Sequence, residues 1–350
     1  MNTGRKLSAF TLVELITAMA IFSILLVLIT TVVNNVTKVH EAARAKADTF
    51  QQARNAFETI KRRLSQTTLQ TYWDYDYPEN DPTKPPEAYV RQSDLHFVSG
   101  QAKILLEGKL TDASTTSHAV FFQSPAGFVD TEGLRGLVEL LNVTGFFVEY
   151  SDGREYIPAF AQSSAQNIRP RLIEAVQSAE KNEVYLSTSD SEPDSLWIEK
   201  LLVPTESSLS NKHVLATNVL ALVLRPKLDP DTLISPVSEV GSTPLDYNYD
   251  SRAWEAEDTA RARQTRNQLP PVVEVIMVAI DDISATRMES LGQEITPEGL
   301  GIDALFAAAD NDSLERDLQT LEDKLVELKA NFRIFRDHVF LTNSRWSPDS

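Results

Sequence analysis

The chain has 350 residues, 42% of them hydrophobic, with 33 Lys and Arg against 50 Asp and Glu and a formal net charge of −17. That length and apolar content suffice for a folded core, and the acidity without an offsetting basic patch argues against a nucleic-acid partner. No cysteine is present, which excludes disulfides, thiolate metal sites and cysteine nucleophiles without fixing a compartment.

The most informative stretch comes first. A leader with Arg5 and Lys6 runs into an apolar block, residues 10–33, whose single ionisable residue is Glu14. Twenty-four helical residues reach about 36 Å, enough to cross a hydrocarbon core of about 30 Å. The basic leader predicts a cytoplasmic start and an extracytoplasmic remainder, hence a single pass through the inner membrane. A carboxylate at this depth costs about 2.5–3.5 kcal/mol on insertion scales and needs a partner. A neighbouring chain's free amino terminus, made by a cut before Phe10, would supply one. A signal peptide would end in a small-residue cleavage site, yet the block continues through Thr30, Thr31, Val32 and Val33 into Asn34 and Asn35. A plain anchor explains length and flank but gives no reason for Glu14.

The run Ser8-Ala9-Phe10-Thr11-Leu12-Val13-Glu14-Leu15 and its apolar tail resemble the processing site of type IV pilins and type II secretion pseudopilins. The resemblance implies cleavage between Ala9 and Phe10 by a prepilin peptidase and methylation of the Phe10 amine. It also implies that Glu14 pairs with a neighbouring subunit's amino terminus during filament assembly. Ala9 departs from the family's usual Gly before the cut, which implies slower cleavage or a specialised peptidase. Loss of residues 1–9 would remove Arg5 and Lys6 and no acid, moving the charge balance from −17 to −19.

Beyond the membrane, Val36, Val39, Ala43, Ala47, Phe50, Ala53, Phe57, Ile60 and Leu64 recur every three or four residues, the stripe of an amphipathic helix. A helix from Phe10 to about Thr67 would run roughly 87 Å. The expected organisation is a leader at 1–9, a transmembrane part at 10–33, a helical spine at 34–70 and an extracytoplasmic head at 71–350. The stripe is read as the surface on which the head packs; a coiled-coil dimer suits its alanines less well.

The head reads as α+β, an antiparallel sheet with long loops. Strands are expected at 95–98, 104–106, 118–123, 136–141 and 145–150, then at 195–202, 214–225 and 272–280. Asp152-Gly153 marks a turn. Three polar segments interrupt the sheet: 72–86, 187–195 and 229–249. The Tyr and Asp alternation at 72–77 is read as an acidic solvated loop, because no spacing matches a defined calcium loop.

Segments HAVFFQSPAGFVDTEGLRGLVELLNVTGFFVEYSDGREYIP (118–158), VLATNVLALVLRPKL (214–228), LPPVVEVIMVAIDDISATRM (269–288) and FRIFRDHVFLTNSRW (332–346) resemble the Verru_Chthon cassette protein C group of pseudopilins. They are more loosely similar to J-type minor pseudopilins and W-type minor pilins, which share an anchored helix, an LP-x-x-V-x-V strand and a closing strand.

Leu314, Leu318, Leu321, Leu325, Leu328 and Phe332 repeat at four and three residues, predicting an amphipathic helix on the sheet in preference to a coiled-coil contact. Asp312 or Ser313 would cap it, and 333–342 would close the sheet as a strand. No nucleophile elbow, P-loop, zinc helix or dinucleotide turn is present. His40, His96, His118, His213 and His338 are scattered, and Asp281-Asp282 is expected to end a strand facing solvent. The expected function is a minor pseudopilin or pilin-like structural subunit without enzymatic activity, cofactor or metal. Its partners would be a prepilin peptidase, other pilins or pseudopilins and the inner membrane. The alternative is a membrane-tethered extracytoplasmic domain that binds or catalyses and does not assemble.

Overall fold

A computed structural model describes residues 11–78, 81–110, 113–157, 167–185, 196–202, 211–227, 247–252, 266–307 and 311–345. Two compact units divide at Asp48/Thr49, and the helix α1 (Leu12–Ser65) carries residues of both.

Within its described part the first unit is helical from Leu12 onward. Its large apolar side chains, from Leu12 to Val39, are exposed, and its most apolar 18-residue window reaches a mean hydropathy of 2.7. This helix is long and apolar enough to cross a membrane. Hydroxyls within it are satisfied internally: Ser23, Thr30, Thr31 and Thr37 each donate to the carbonyl four residues back at 2.8–2.9 Å. Such bonding removes the cost of carrying a hydroxyl into hydrocarbon.

In the second unit the α1 stripe becomes a packing surface. Phe50, Ala53, Ala56, Phe57, Ile60 and Leu64 are buried, whereas the earlier stripe positions Val36, Val39, Ala43 and Ala47 are exposed. The expected packing stripe is therefore shorter than its periodicity and begins at Phe50. The helix is fixed side chain by side chain to the last strand, β11 (Phe332–Phe340). Phe57 and Phe335 stack at 5.7 Å, and Lys61 Nζ meets Asp337 Oδ2 at 2.5 Å. At the helix end, Thr342 N and Oγ1 both donate to the Ser65 carbonyl, at 3.1 and 2.8 Å.

The fold is α+β, with three antiparallel sheets among the described residues. A hairpin pairs β1 (Tyr72–Asp76) with β2 (Ala88–Gln92). Strands β3 (Val98–Gln101), β4 (Ser114–Pro125), β5 (Leu141–Ser151), β6 (Arg169–Gln177), β7 (Lys212–Thr217) and β9 (Tyr249–Asp250) form a six-stranded sheet in the order β7-β6-β5-β4-β3-β9. The third sheet has the order β11-β10-β8, with β8 at Val219–Lys227 and β10 at Val272–Ile280. Every residue of β8 and β10 is buried, as their largely apolar runs predict for strands covered on both faces, and the charged exceptions Arg225, Lys227 and Glu274 pair with one another.

One residue moves the chain from one large sheet to the other. Asn218 adopts φ 60°, its amide donates to the Pro170 carbonyl at 2.7 Å, and its carbonyl accepts from Ile280 N at 3.0 Å. Asn tolerates this left-handed conformation better than other side chains do. The expected strand at 214–225 is thus two strands in two sheets. Next to it, β4 bulges at Ser117 (φ 57°), shifting its register against β5 between Thr116 and Val120. From that bulge Ser117 Oγ and His118 Nδ1 accept the Leu222 and Leu224 amides of β8, both at 3.0 Å.

Other expectations are corrected. Residues 104–106 belong to a short helix (Ala102–Leu105) and its cap, and the described part of 195–202 is the helix Leu196–Leu202, whose buried Trp197, Ile198, Leu201 and Leu202 have helical spacing. Residues 136–140 form turns before β5, and 95–97 precede β3 as buried irregular chain. Asp152-Gly153, with Gly153 at φ 72°, opens a longer β5–β6 connection. The 72–86 segment begins as strand β1 rather than as loop, and β6 was not anticipated. The 187–195 segment and most of 229–249 lie outside the described residues. The helix Asn311–Glu327 buries Leu314, Leu318, Leu321 and Leu325, with Asp312 and Ser313 inside it rather than capping it.

Ile60 is fully buried, so Ile60→Ala should cost about 2–5 kcal/mol. The midpoint of urea unfolding, read from tryptophan fluorescence of the detergent-solubilised chain, checks it.

Candidate functional site

Ala9 and Phe10 lie outside the described residues; the site is visible from Thr11 onward. There the Glu14 carboxylate has a partner within its own chain. Glu14 Oε2 accepts from Thr11 N and from Thr11 Oγ1, both at 3.0 Å, while Glu14 N donates to Thr11 Oγ1 at 3.3 Å. This reciprocal pair is a capping box. Helix α1 begins at Leu12 because Thr11 and Glu14 satisfy two backbone donors that no preceding turn can. The signal is present in the sequence as Thr-x-x-Glu before an apolar run, and it supplies the structural reason for Glu14 that a plain anchor had lacked.

Residues 4–30 match the prokaryotic N-terminal methylation motif. The match covers Ala9, Phe10, Thr11 and Glu14 and supports a type IV pilin-like precursor. It accords with an N-terminal apolar helix acting as a single-pass membrane anchor. No curated protein matches the chain, and no solved structure does.

The remaining sequence candidates are held in structural roles. His40 and His213 are exposed. His96 Nδ1 accepts from the Trp197 indole at 3.0 Å, and its Nε2 lies 2.7 Å from Asp250 Oδ1. The Asp–His pair thus resembles part of a catalytic relay, but an indole N–H occupies the place a nucleophile would take. Burial pushes the Asp250 carboxyl up, and His96 together with Arg252 outweighs it, so the net shift is downward. Asp281 is buried, not solvent-facing. Its Oδ1 caps the helix Asp282–Ser290 by accepting Ser284 N at 2.8 Å, and its Oδ2 accepts the Asn331 side-chain amide at 2.9 Å. Asp282 pairs with Arg169 at 2.8 Å.

Glu274 is completely buried on β10, with Arg336 Nε at 2.6 Å, Lys227 Nζ at 3.1 Å and Arg225 Nη1 at 3.3 Å. Burial pushes its pKa up, and the three cations together draw it down further. Arg336 also reaches Glu315 at 2.8 Å, tying the Asn311–Glu327 helix to the sheet. Among the described residues no group of three His, Cys, Asp or Glu is arranged to hold a metal ion.

His118 is the most perturbed of the histidines. Its Nδ1 accepts the Leu224 amide, so the ring proton sits on Nε2 and is donated to the Phe306 carbonyl at 3.1 Å. Burial pushes its pKa down to about 3, against a smaller upward pull from the Phe306 carbonyl. The unfolded chain takes up this proton near pH 6.5 and the folded chain does not. Stability is therefore lost as pH falls from about 6.5 toward 3. Between pH 6.5 and 4.5 the native chain should lose about 2 kcal/mol more than His118→Asn, whose side-chain oxygen accepts but does not titrate. Urea titrations at both pH values measure the difference.

Proposed function

We propose that the chain is a minor pseudopilin or pilin-like structural subunit of an inner-membrane assembly, acting by binding and not by catalysis. A prepilin peptidase cuts between Ala9 and Phe10, the new amine is methylated, and α1 holds the subunit in the membrane with the head on the periplasmic side. Other pilins or pseudopilins are its partners. The observation that carries this reading is the methylation motif at residues 4–30, which ends inside a helix of membrane-spanning length. The occupied hydrogen-bonding positions around His96 and Asp250 support a structural role for the pair that most resembles a catalytic one.

Within this reading, the chain belongs with the Verru_Chthon cassette protein C pseudopilins. Supporting this, the resembling segments carry most of β4 and all of β5, β8, β10 and β11. Secretion or a pilus-like fibre is then the setting of the filament.

The capping box favours a second reading, a tethered domain that does not assemble, since it uses Glu14 without any neighbour. Two substitutions separate them. Thr11→Ala removes the cap, worth about 1 kcal/mol, but leaves the carboxylate. Glu14→Ala removes both. In an assembly role, Glu14→Ala should spare head folding while lowering cross-linking to sibling subunits by roughly tenfold, about 1.4 kcal/mol, with Thr11→Ala much milder. Normal incorporation of Glu14→Ala would sink the proposal.

A further inference from the structure

A polar pocket of about 200 Å³ opens in the second unit where the chain leaving α1, strand β2 and the C-terminal segment converge. Arg91, Arg345, Gln70, Gln268 and Asn343 line it together with Asn267, and no Asp or Glu does among the described residues. In a chain with 50 acidic side chains against 33 basic, two arginines line this one cavity and no described lining residue is a carboxylate.

Arg91 is the decisive group. It is half-buried, and its guanidinium lies 5.5 Å from the Trp73 ring centre. Among the described residues it makes no ion pair or side-chain hydrogen bond. Burial therefore disfavours its charge with little to offset it beyond a weak pull from Tyr249. A partly desolvated guanidinium with unused fork donors is matched by an oxyanion.

The walls are fixed rather than adaptable. Gln70 and Asn267 both adopt left-handed backbone, at φ 46° and 49°, a conformation Asn tolerates but one that costs a residue such as Gln70 about 1–3 kcal/mol. Asn267 N donates to the Ser251 carbonyl at 2.8 Å, and its side-chain amide donates to the Arg91 carbonyl at 2.9 Å, fixing the arginine's backbone. Asn343 Nδ2 is held by the Thr67 carbonyl at 3.0 Å.

We infer that this pocket binds a carboxylate whose bearer also carries hydroxyl or N–H groups. The two guanidinium groups take the charge, and the carboxamide oxygens of the wall take donors that a bare inorganic anion lacks. Two sources offer this chemistry: a small free hydroxy- or amino-acid, or an Asp or Glu side chain of another protein.

Isothermal titration and thermal shift of the detergent-solubilised full chain test it, using sodium citrate and an acetylated tetraglutamate peptide at constant ionic strength. Citrate should bind saturably at one site and raise the melting temperature, with sodium chloride of equal ionic strength giving no such rise. Arg91→Gln should weaken binding roughly tenfold or more, and Arg91→Lys should retain part of it. Arg345→Gln, at an exposed position, should also weaken binding while leaving the unliganded melting temperature unchanged. Tighter binding of the peptide would assign the carboxylate to a protein, and binding of citrate alone to a small molecule. Failure of both probes to bind, an equal shift with sodium chloride, or wild-type binding by both glutamine variants would overturn the inference.

Discussion

The edge of β8 presents amides that no neighbouring strand can accept, and the head is organised around their satisfaction. Leu222 and Leu224 donate instead to Ser117 Oγ and His118 Nδ1 at the β4 bulge, so two sheets that share no ladder are joined through side chains. Buried backbone donors left alone would be costly. The arrangement works only with a neutral imidazole, because a proton on Nδ1 would face an N–H. It also needs Asn218, which turns the chain out of the six-stranded sheet so that β8 arrives beside the bulge. Once β8 is placed, β10 pairs along it from Val272 to Ala279, and β11 pairs along β10 from Val272 to Ile280. The second unit's part of α1 is then held by β11 through Phe335 and Asp337.

At the other end of the chain a comparable problem is solved by a single turn. Glu14 is an ionisable group in an otherwise apolar run, and Thr11 receives it through two hydrogen bonds while starting the helix. In the proposed assembly this makes Glu14 a group with two successive partners. The lone precursor carries a satisfied carboxylate, and the filament offers it a charged one. Exchange of the cap for an ammonium replaces hydrogen bonds in which only the acceptor is ionised by a pair in which both partners are charged, in a medium of low dielectric where such pairs are strongest.

The elements legible in the sequence were those whose pattern had one physical reading. Residues 272–280 are apolar apart from Glu274 and form β10 over that span; α1 and the Asn311–Glu327 helix show their 3.6-residue period plainly. Misreadings arose where the same residues served two patterns. Trp197, Ile198, Leu201 and Leu202 are short enough to pass for a strand and spaced for a helix. Strand β6 is masked in the sequence by Pro170 and by Arg171 and Glu174, whose polar ends are engaged by Ser151 and Arg63 rather than by solvent. In β1 the alternation of aromatic and acid was itself a strand period, masked by the prolines that follow. At the N-terminus Thr-x-x-Glu is a local signal for the start of α1, while a lone carboxylate in an apolar run points equally to a partner on another chain. Asn218, the Ser117 bulge and the Arg91 pocket depend on contacts remote in sequence and carry no local signal.

The central claim is that this chain enters the membrane as a precursor and leaves the peptidase as a shorter, methylated subunit. The most direct test is the intact mass and N-terminal residue of the membrane-extracted protein, produced with and without a prepilin peptidase. The account predicts a chain that begins at N-methylated Phe10 only when the peptidase is present. A chain that keeps residues 1–9 under both conditions would contradict it and leave α1 as a tether.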